Sequence, residues 1–424
     1  MKTWDLEREY DRFIAFITGR REKRRHNIGL AVEDIKNNLL SRGERALVEF
    51  SKKWDGWEKD YPLKLTGKEI RERASLVGKK DLTVLKGMIR NVTSYHRQQG
   101  GHKRTYRRKG LLVREEFVPV ERALVYVPGG TAPYPSSLIM GVVPAQLAGV
   151  KKIFVATPAK NGAINPYILA SCMLLGIKDV YRIGGAQAIY AFSYGIGSIP
   201  KADMIVGPGN AYVEEAKRDV YGQVGIDMLA GPTELIILCT ESFSPKMLAW
   251  DMFSQAEHDE MAMVGLFSPS KDHLYDILKS IEKLICLNER KHVVEKALRD
   301  NGFMVYYNNV DKAIEAINMI APEHMELIGD EGKAKKILYP GIVYLGPHTT
   351  VAMGDYYIGT NHVLPTAGAG RFSGGLSVDR FTKRKVLVKI DKQFLNKYGD
   401  NAIRLSEIEG FFAHGEAIKA RKEL

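Results

Sequence analysis

Residues 123–156 read ALVYVPGGTAPYPSSLIMGVVPAQLAGVKKIFVA, and this stretch decides the fold class. The β-branched runs at 123–127 and 152–156 predict two strands, and the apolar spacing at 137–148 predicts a helix between them. A turn rich in glycine and proline follows the first strand. A strand, a helix and a second strand at this pitch indicate parallel strands covered by helices.

The same alternation continues only toward the C-terminus. It predicts further strands at 179–183, 204–206, 234–239, 263–267 and 341–345 and further helices at 167–175 and 211–221. Residues 1–100 look helical instead, because apolar residues recur at helical spacing over 32–54, with a break at Gly43, and over 82–95. This first part contains no catalytic signature, and we interpret it as scaffold or dimer surface.

The composition is that of a globular protein with a sizeable core. Hydrophobic residues make up 45% of the 424 residues and charged residues 26%, and a chain of this length is expected to form more than one domain. Cys172, Cys239 and Cys286 are far apart and never form a CxxC pair. This pattern argues against a disulfide scaffold or a thiolate zinc site, and their apolar sequence neighbours predict inert thiols.

The net charge is +12, and two basic clusters stand out at 20–25 (RREKRR) and 103–109 (KRTYRRK). They indicate either a solvated basic face that steers an anionic ligand or a nucleic-acid surface, and no nucleic-acid motif accompanies them. The first residues, MKTWDLEREYDRF, lack the apolar segment of a signal peptide, and no apolar run approaches the roughly 20 residues of a membrane span. We therefore expect a cytoplasmic protein that binds neither membranes nor nucleic acid.

Four glycine-rich turns follow predicted strands. They are PGGTAPYPSS (128–137), GGAQA (184–188), GPGNAY (207–212) and AGPTE (230–234). Glycine lets a backbone approach phosphate, and the N-terminus of the next helix supplies N–H donors. None is a complete GxGxxG motif, so the turns indicate either a dinucleotide site of unusual construction or ordinary tight turns between strands and helices.

Two polar motifs carry candidate metal ligands. In FSQAEHD (253–259), Gln255 and His258 share one face near the end of a predicted helix, where they suit either a metal or, for the histidine, the helix dipole. In GDYYIGTNHVLPT (354–366), Asp355 and His362 follow a predicted strand, in a loop position typical of binding groups. The alternative for that loop is that Asp355 caps a neighbouring element.

The motif APEHMEL (321–327) places a carboxylate beside an imidazole. In a turn after Pro322, Glu323 and His324 can both line one cavity, where they suit general acid–base catalysis. In an extended segment they would point to opposite sides. The basic tail from residue 379 has a helical pattern, in which Glu409 and His414 converge if the helix ends near Gly410.

Together these motifs resemble those of the histidinol dehydrogenase family. The matching motifs keep the family's order and rough spacing from about residue 30 onward and are YVPGGTAPYPSS, GGAQA, GPGNAYVEEAKRDV, AGPTE, SQAEHD, APEHMEL and GDYYIGTNHVLPT. The resemblance implies an α/β fold of two incomplete Rossmann-like parallel-sheet domains with helices on both faces, plus small helical N-terminal and C-terminal extensions. The implied parts are an N-terminal extension (1–22), a first domain with the metal and acid/base residues (23–126 and 234–375), an NAD-binding second domain (127–233) and a helical tail that reaches the partner subunit (376–424).

The resemblance also implies the activity. It points to a zinc-containing homodimer with shared active sites that oxidises L-histidinol to L-histidine through an enzyme-held aldehyde with two NAD molecules, at the last step of histidine biosynthesis. His324 would take the alcohol proton, and Glu323 would activate water. The implied ligands of one Zn²⁺ per subunit are Gln255, His258, Asp355 and His414, a set without thiolates that orients the substrate. The implied NAD contacts are Tyr126, Gln187 and Asn210, and the implied substrate contacts are Thr233, Gln255, His258, His324, Asp355, Glu409 and His414, with a weaker contribution from His362.

One residue departs from the family pattern. Thr233 stands in AGPTE where the family commonly has serine, so the hydroxyl is kept and a methyl group is added beside the substrate. This change is compatible with the same reaction or with a paralogous NAD-dependent dehydrogenase of another amino or sulfonated alcohol. A non-enzymatic, basic nucleic-acid-binding protein is the other class of function, and NADH formation with histidinol separates it from a dehydrogenase.

Overall fold

The computed structural model describes residues 1–19, 26–101, 103–129 and 133–423. In these ranges the strands are β1 (Lys2–Asp5), β2 (Arg104–Arg108), β3 (Leu111–Pro119), β4 (Arg122–Tyr126), β5 (Lys152–Ala156), β6 (Asp179–Tyr181), β7 (Met204–Val206), β8 (Gly225–Ile226), β9 (Glu234–Cys239), β10 (Met263–Ser268), β11 (Phe303–Tyr306), β12 (His324–Ile328), β13 (Ile342–Leu345) and β14 (Thr382–Ile390). The helices are α1 (Leu6–Gly19), α2 (His26–Arg42), α3 (Glu44–Asp55), α4 (Gly67–Ala74), α5 (Lys79–His96), α6 (Pro135–Ala148), α7 (Pro166–Leu174), α8 (Gly185–Tyr194), α9 (Ala211–Val220), α10 (Pro245–Ala256), α11 (Lys271–Leu284), α12 (Lys291–Asn301), α13 (Val310–Ile320), α14 (Val351–Tyr356), α15 (Lys392–Ile408) and α16 (Phe412–Lys422). None of the helices in these ranges has both the length and the apolar character that crossing a membrane requires.

The larger sheet has six parallel strands in the order β1-β11-β10-β9-β12-β13. In β9, Leu235 and Ile237 face a core formed with α10, α11 and α12. The alternate residues Ile236 and Leu238 face the opposite core, formed with α1 and α13. Because both faces of the strand are buried, its sequence is a continuous apolar run.

The second sheet has five parallel strands in the order β6-β5-β4-β7-β8. Ala123 and Val125 of β4 pack with α4, α5, α6 and α7 on one face. Leu124 and Tyr126 pack with α2, α3, α8 and α9 on the other. The prediction of an α/β fold with two parallel sheets and helices on both faces is confirmed.

The N-terminal part of the chain contributes to both sheets. The helices α2 to α5 pack on the five-stranded sheet, and β4 is one of its strands. The family resemblance had instead implied that residues 23–126 form one domain with residues 234–375, which supply strands of the six-stranded sheet. The predicted helical extension 1–22 begins with a strand, because β1 pairs with β11 at the edge of the six-stranded sheet. The exact domain boundaries stay a prediction.

A third, antiparallel sheet has the order β14-β3-β2. The predicted helical tail from residue 376 therefore begins with a 3₁₀ turn (Val378–Phe381) and a strand, and its α-helices are α15 and α16. The strand β14 is mostly exposed and rich in lysine, so its sequence lacks the apolar alternation of a half-buried strand. The basic cluster 103–109 lies on and beside the exposed strand β2, and the cluster 20–25 lies outside the described residues.

Candidate active site

The candidate catalytic pair lies at the amino-terminal edge of the six-stranded sheet. Glu323 and His324 stand at the start of β12, beside Thr233 and Glu234 at the start of β9. Ala321 ends α13 with a φ of 44°, and the turn that follows brings Glu323 Oε2 within 3.5 Å of His324 Nδ1. The turn interpretation of this motif is thus the one observed. Ligands of open α/β sheets usually bind at the carboxyl edge of the sheet. This pair lies at the opposite edge, which the sequence motif alone did not indicate.

Glu323 is almost fully buried and tightly held. Its Oε2 accepts hydrogen bonds from Thr233 Oγ1 at 2.7 Å and from the Glu234 amide at 3.1 Å. Burial raises the pKa of Glu323 to about 8, although the bonds from Thr233 and Glu234 oppose this shift. A carboxyl group that titrates near neutral pH suits proton transfer in either direction.

His324 presents one ring nitrogen without a hydrogen-bond partner among the described residues. Its Nδ1 lies 3.3 Å from the Glu234 carbonyl oxygen, whereas its buried Nε2 forms no hydrogen bond there and lies 3.8 Å from Asp355 Oδ1. Burial lowers the pKa of His324, with partial opposition from the Asp355 carboxylate. A neutral ring that donates Nδ1–H to the carbonyl leaves the lone pair on Nε2, which can accept a proton. The ring of Tyr344 stacks on the imidazole at a centroid distance of 6.3 Å.

Three of the four predicted metal ligands converge next to this pair. Gln255 Nε2 lies 3.4 Å from Asp355 Oδ2, and Gln255 Oε1 accepts a hydrogen bond from Thr233 Oγ1 at 2.9 Å. His258 follows the end of α10 and keeps the helical turn through a 3.2 Å bond from its amide to the Gln255 carbonyl. Burial lowers the pKa of His258, and the nearby Asp355 carboxylate opposes that shift. Asp355 itself lies in the short helix α14 rather than in the predicted loop.

The donor set fits a metal ion that prefers nitrogen and oxygen ligands, but one chain does not complete it. Gln255, His258 and Asp355 supply an amide, an imidazole and a carboxylate, which is a suitable set for zinc. In the described part of the chain, no three His, Cys, Asp or Glu residues are grouped so as to hold a metal ion.

The fourth predicted ligand, His414, lies in the exposed helical tail. The helix α15 ends at Ile408 and α16 begins at Phe412, so the predicted break near Gly410 is observed, with a φ of 77° at that residue. Glu409 and His414 are both exposed there. Within the residues that the structure describes, neither side chain forms a hydrogen bond or ion pair with the site.

His362 connects the site to the second sheet. Its Nδ1 lies 3.0 Å from the Asp355 carbonyl oxygen, and its Nε2 lies 3.1 Å from Ser137 Oγ at the start of α6. Sequence reasoning missed the contact of Ser137, although this residue ends the quoted PGGTAPYPSS turn. It also missed Tyr344, which appeared only as part of an apolar strand and whose buried hydroxyl finds no hydrogen-bond partner in the described ranges.

The predicted NAD contacts lie together at the carboxyl edge of the five-stranded sheet. Tyr126 ends β4, Gln187 is in the first turn of α8, and Asn210 caps α9 by accepting hydrogen bonds from its first-turn amides. The Tyr126 hydroxyl accepts a hydrogen bond from Gly185 N at 3.1 Å, and no described residue bonds the buried Gln187 Oε1. The strand order reverses between β4 and β7, and dinucleotides bind at such a reversal in open α/β sheets.

A buried charged trio supports the glycine-rich turns beside this edge. Lys217 Nζ lies 2.7 Å from Asp227 Oδ1 and 3.4 Å from Glu214 Oε1. Lys217 also donates to the Gly207 carbonyl at 3.1 Å, and Asp227 accepts from the Gly207 amide at 2.8 Å. Glu214 accepts from the Ala230 amide at 2.6 Å, so the trio fixes both the GPGN and the AGPTE turns.

The three cysteines differ in their exposure to solvent. Burial raises the pKa of the Cys172 and Cys239 thiols, which agrees with the prediction that they are inert. Cys286 is exposed, so the prediction of an apolar environment is wrong for this residue. Its apolar sequence neighbours did not show which side of the chain turns toward solvent.

Comparisons with known proteins identify the family to which the chain belongs. The family model described as histidinol dehydrogenase matches residues 18–422. Histidinol dehydrogenase of Bacillus cereus is 40% identical over 396 residues, covering 93% of this chain and 92% of the relative. That of Carboxydothermus hydrogenoformans is 38% identical over 406 residues, covering 95% and 96%. The crystal structure of histidinol dehydrogenase from Elizabethkingia anophelis superposes with a TM-score of 0.92 at 32% identity, covering 100% of this chain and 98% of that one. The chain therefore belongs to the histidinol dehydrogenase family and is an oxidoreductase of that kind.

Proposed function

We propose that the chain is a zinc-containing, NAD-dependent histidinol dehydrogenase that oxidises L-histidinol to L-histidine through an aldehyde, at the last step of histidine biosynthesis. The observation that carries the proposal is the convergence of Glu323 and the Nε2 lone pair of His324 with Gln255, His258 and Asp355. A proton acceptor beside a nitrogen and oxygen donor set suits an alcohol whose own nitrogens bind a metal ion.

The metal would be held by Gln255, His258 and Asp355 of one chain and His414 of a second copy. Bound zinc would hold and orient the substrate through its nitrogen atoms. The incomplete ligand set among the described residues of one chain and the exposure of His414 support a homodimer in which the tail completes the partner's site.

The chain's own residues would carry out the acid–base catalysis. His324 Nε2 is placed to take the alcohol proton, because its other ring nitrogen is engaged with the Glu234 carbonyl. Glu323, held by Thr233 and the Glu234 amide, would then take a proton from the water that hydrates the aldehyde. Bound NAD would accept one hydride in each of the two oxidations, at the edge formed by Tyr126, Gln187 and Asn210.

The position of Thr233 favours histidinol over the alternative, a paralogous dehydrogenase of another amino or sulfonated alcohol. Its hydroxyl lies within hydrogen-bond distance of both Gln255 Oε1 and Glu323 Oε2, as a serine hydroxyl there would. A hydroxyl has one proton, so Thr233 donates to only one of these two oxygens at a time. The extra methyl group leaves this chain of hydrogen bonds intact.

Product stoichiometry tests the proposal. The purified protein with zinc should form about two NADH per histidinol consumed, because the change from alcohol to acid removes four electrons and each NAD accepts two. A yield of one NADH with accumulating aldehyde would contradict the proposal. In a panel of amino and sulfonated alcohols, faster turnover of another substrate would support the paralogue instead.

We propose a cytoplasmic location for this enzyme, which fractionation of its native cells would test.

A further inference from the structure

Two carboxyl groups lie behind the candidate active site, and neither forms an ion pair within the described part of the chain. Glu326 follows His324 by two residues on β12, so both side chains point to the same face of the strand, and Glu326 is only 2% exposed. Asp251 precedes Gln255 by four residues on α10, and it is partly buried. Burial raises the pKa of both carboxyl groups, and the charge of Asp251 adds to this effect at Glu326.

The two carboxyl groups hold the beginning of α14. Glu326 Oε1 accepts a hydrogen bond of 2.8 Å from the amide of Val351, the first residue of this helix. Asp251 Oδ1 accepts one of 3.0 Å from the hydroxyl of Thr350, the residue before it. Asp355 lies one helical turn after Val351, so these bonds bear directly on its position.

One small cluster therefore connects the three elements that carry the site. It lies one turn from Gln255 on α10, two residues from His324 on β12 and one turn from Asp355 on α14. Burying two carboxyl groups near each other is unfavourable, and a well-packed apolar pair would usually be at least as stable. General stability of the fold therefore does not explain the pair.

We propose that Glu326 and Asp251 are positioning residues that clamp the start of α14, so that Asp355 faces Gln255 and His324. The titratable groups that face the pair are the Cys239 thiol and the Tyr344 hydroxyl, and both are neutral at physiological pH because burial raises the pKa of each. The inference rests on the proposed zinc site, since its effect is exerted through Asp355.

The test compares zinc affinity, measured by competition with a chelator, in four purified proteins. Glu326→Leu removes the acceptor of the Val351 amide and should weaken zinc binding about 10- to 100-fold, as the loss of outer-shell partners does. Glu326→Gln copies the neutral acid and should stay within about threefold of wild type. Ser268→Ala is the matched control, because it removes a buried hydroxyl of the same sheet that bonds His273 and should leave zinc affinity unchanged.

A second set of variants separates positioning from general damage. In an Asp355→Asn background, Glu326→Leu should cause little further loss of zinc affinity, because its effect passes through Asp355. Thr350→Val is nearly isosteric, removes the hydroxyl that bonds Asp251, and should weaken zinc binding in the same direction. It provides the test if the leucine variant does not fold.

The outcomes are distinguishable from failure of the proposed function. Wild-type protein that neither binds zinc nor oxidises histidinol would refute the function itself. Wild-type protein that binds zinc, with Glu326→Leu and Thr350→Val binding it equally well, would overturn the clamp. Equal damage from glutamine and leucine at position 326 would also overturn the clamp, because glutamine keeps an acceptor for the Val351 amide and leucine does not.

Discussion

Replacing Lys217 by methionine should loosen the turns that we assign to NAD. Lys217 and Asp227 are both fully buried, and their atoms lie 2.7 Å apart. Burial alone disfavours a charged lysine, but Asp227 and Glu214 outweigh this effect and raise its pKa. Methionine fills a similar volume and leaves the Asp227 carboxylate without its cation.

The expected loss is large. Breaking a buried ion pair by removing one partner costs about 3–5 kcal/mol. Glu214 can avoid the cost of a buried, unpaired carboxylate by binding a proton, because burial already raises its pKa to about 7. Asp227 accepts hydrogen bonds from the amides of Gly207 and Met228 and lies closest to the Lys217 ammonium, so it bears most of the penalty. Adding Asp227→Asn should therefore recover part of the loss.

Hydrogen exchange measured by mass spectrometry is the suitable assay, because a protein with several sheets need not unfold in one step. Peptides from residues 204–232 should exchange roughly 10²- to 10⁴-fold faster in Lys217→Met, which corresponds to the 3–5 kcal/mol above. Peptides from β10 serve as the internal control and should not change. Unchanged protection at 204–232, or an equal loss in β10, would refute the reasoning.

Three further predictions concern the site and its surroundings. His324→Ala should lower the maximal rate by on the order of a hundredfold or more while zinc content stays intact, whereas His258→Ala should lose zinc; the reverse pattern in metal analysis would show that the roles are misassigned. Refolding an equal mixture of His258→Ala and His414→Ala subunits, each inactive alone, should restore roughly a quarter of wild-type activity, because half of the dimers are mixed and each has one intact site; mixed dimers without activity would exclude the shared site. Glu214 keeps a proton in the folded state that the unfolded chain releases, so stability should fall as the pH rises from 4.5 to about 7, and Glu214→Gln should flatten this slope in denaturation midpoints.

Local sequence pattern predicted most of the buried parallel strands, but not β11 or β12. The strand at 152–156 was predicted with its observed bounds, because a strand buried on both faces is an unbroken apolar run between turns. The edge strand β1 and the exposed strand β14 could not be found in this way. Their pairing partners, β11 and β3, lie far away along the chain, and their own residues are mixed or charged.

Site residues were predictable where several polar groups stand together in one motif. Glu323 and His324 were recognisable as a pair, but only the fold shows that they stand at the start of a strand and that the Glu234 carbonyl orients the imidazole. The sequence did not single out Glu326 or Asp251, since nothing in their immediate neighbours indicates that both are turned inward. Contacts across elements, rather than residue types, decide their role.

The pairing of β1 with β11 has a consequence for how the chain folds during synthesis. Residue Lys2 pairs with Phe303, so the first strand leaves the ribosome long before its partner exists. At about 5–20 residues per second, this delay is roughly 15 to 60 s. The five-stranded sheet uses strands only from 122–226 and can assemble during that interval. The N-terminal segment, with its apolar residues Leu6 and Phe13, must meanwhile stay unpaired, which makes the growing chain a candidate for chaperone binding.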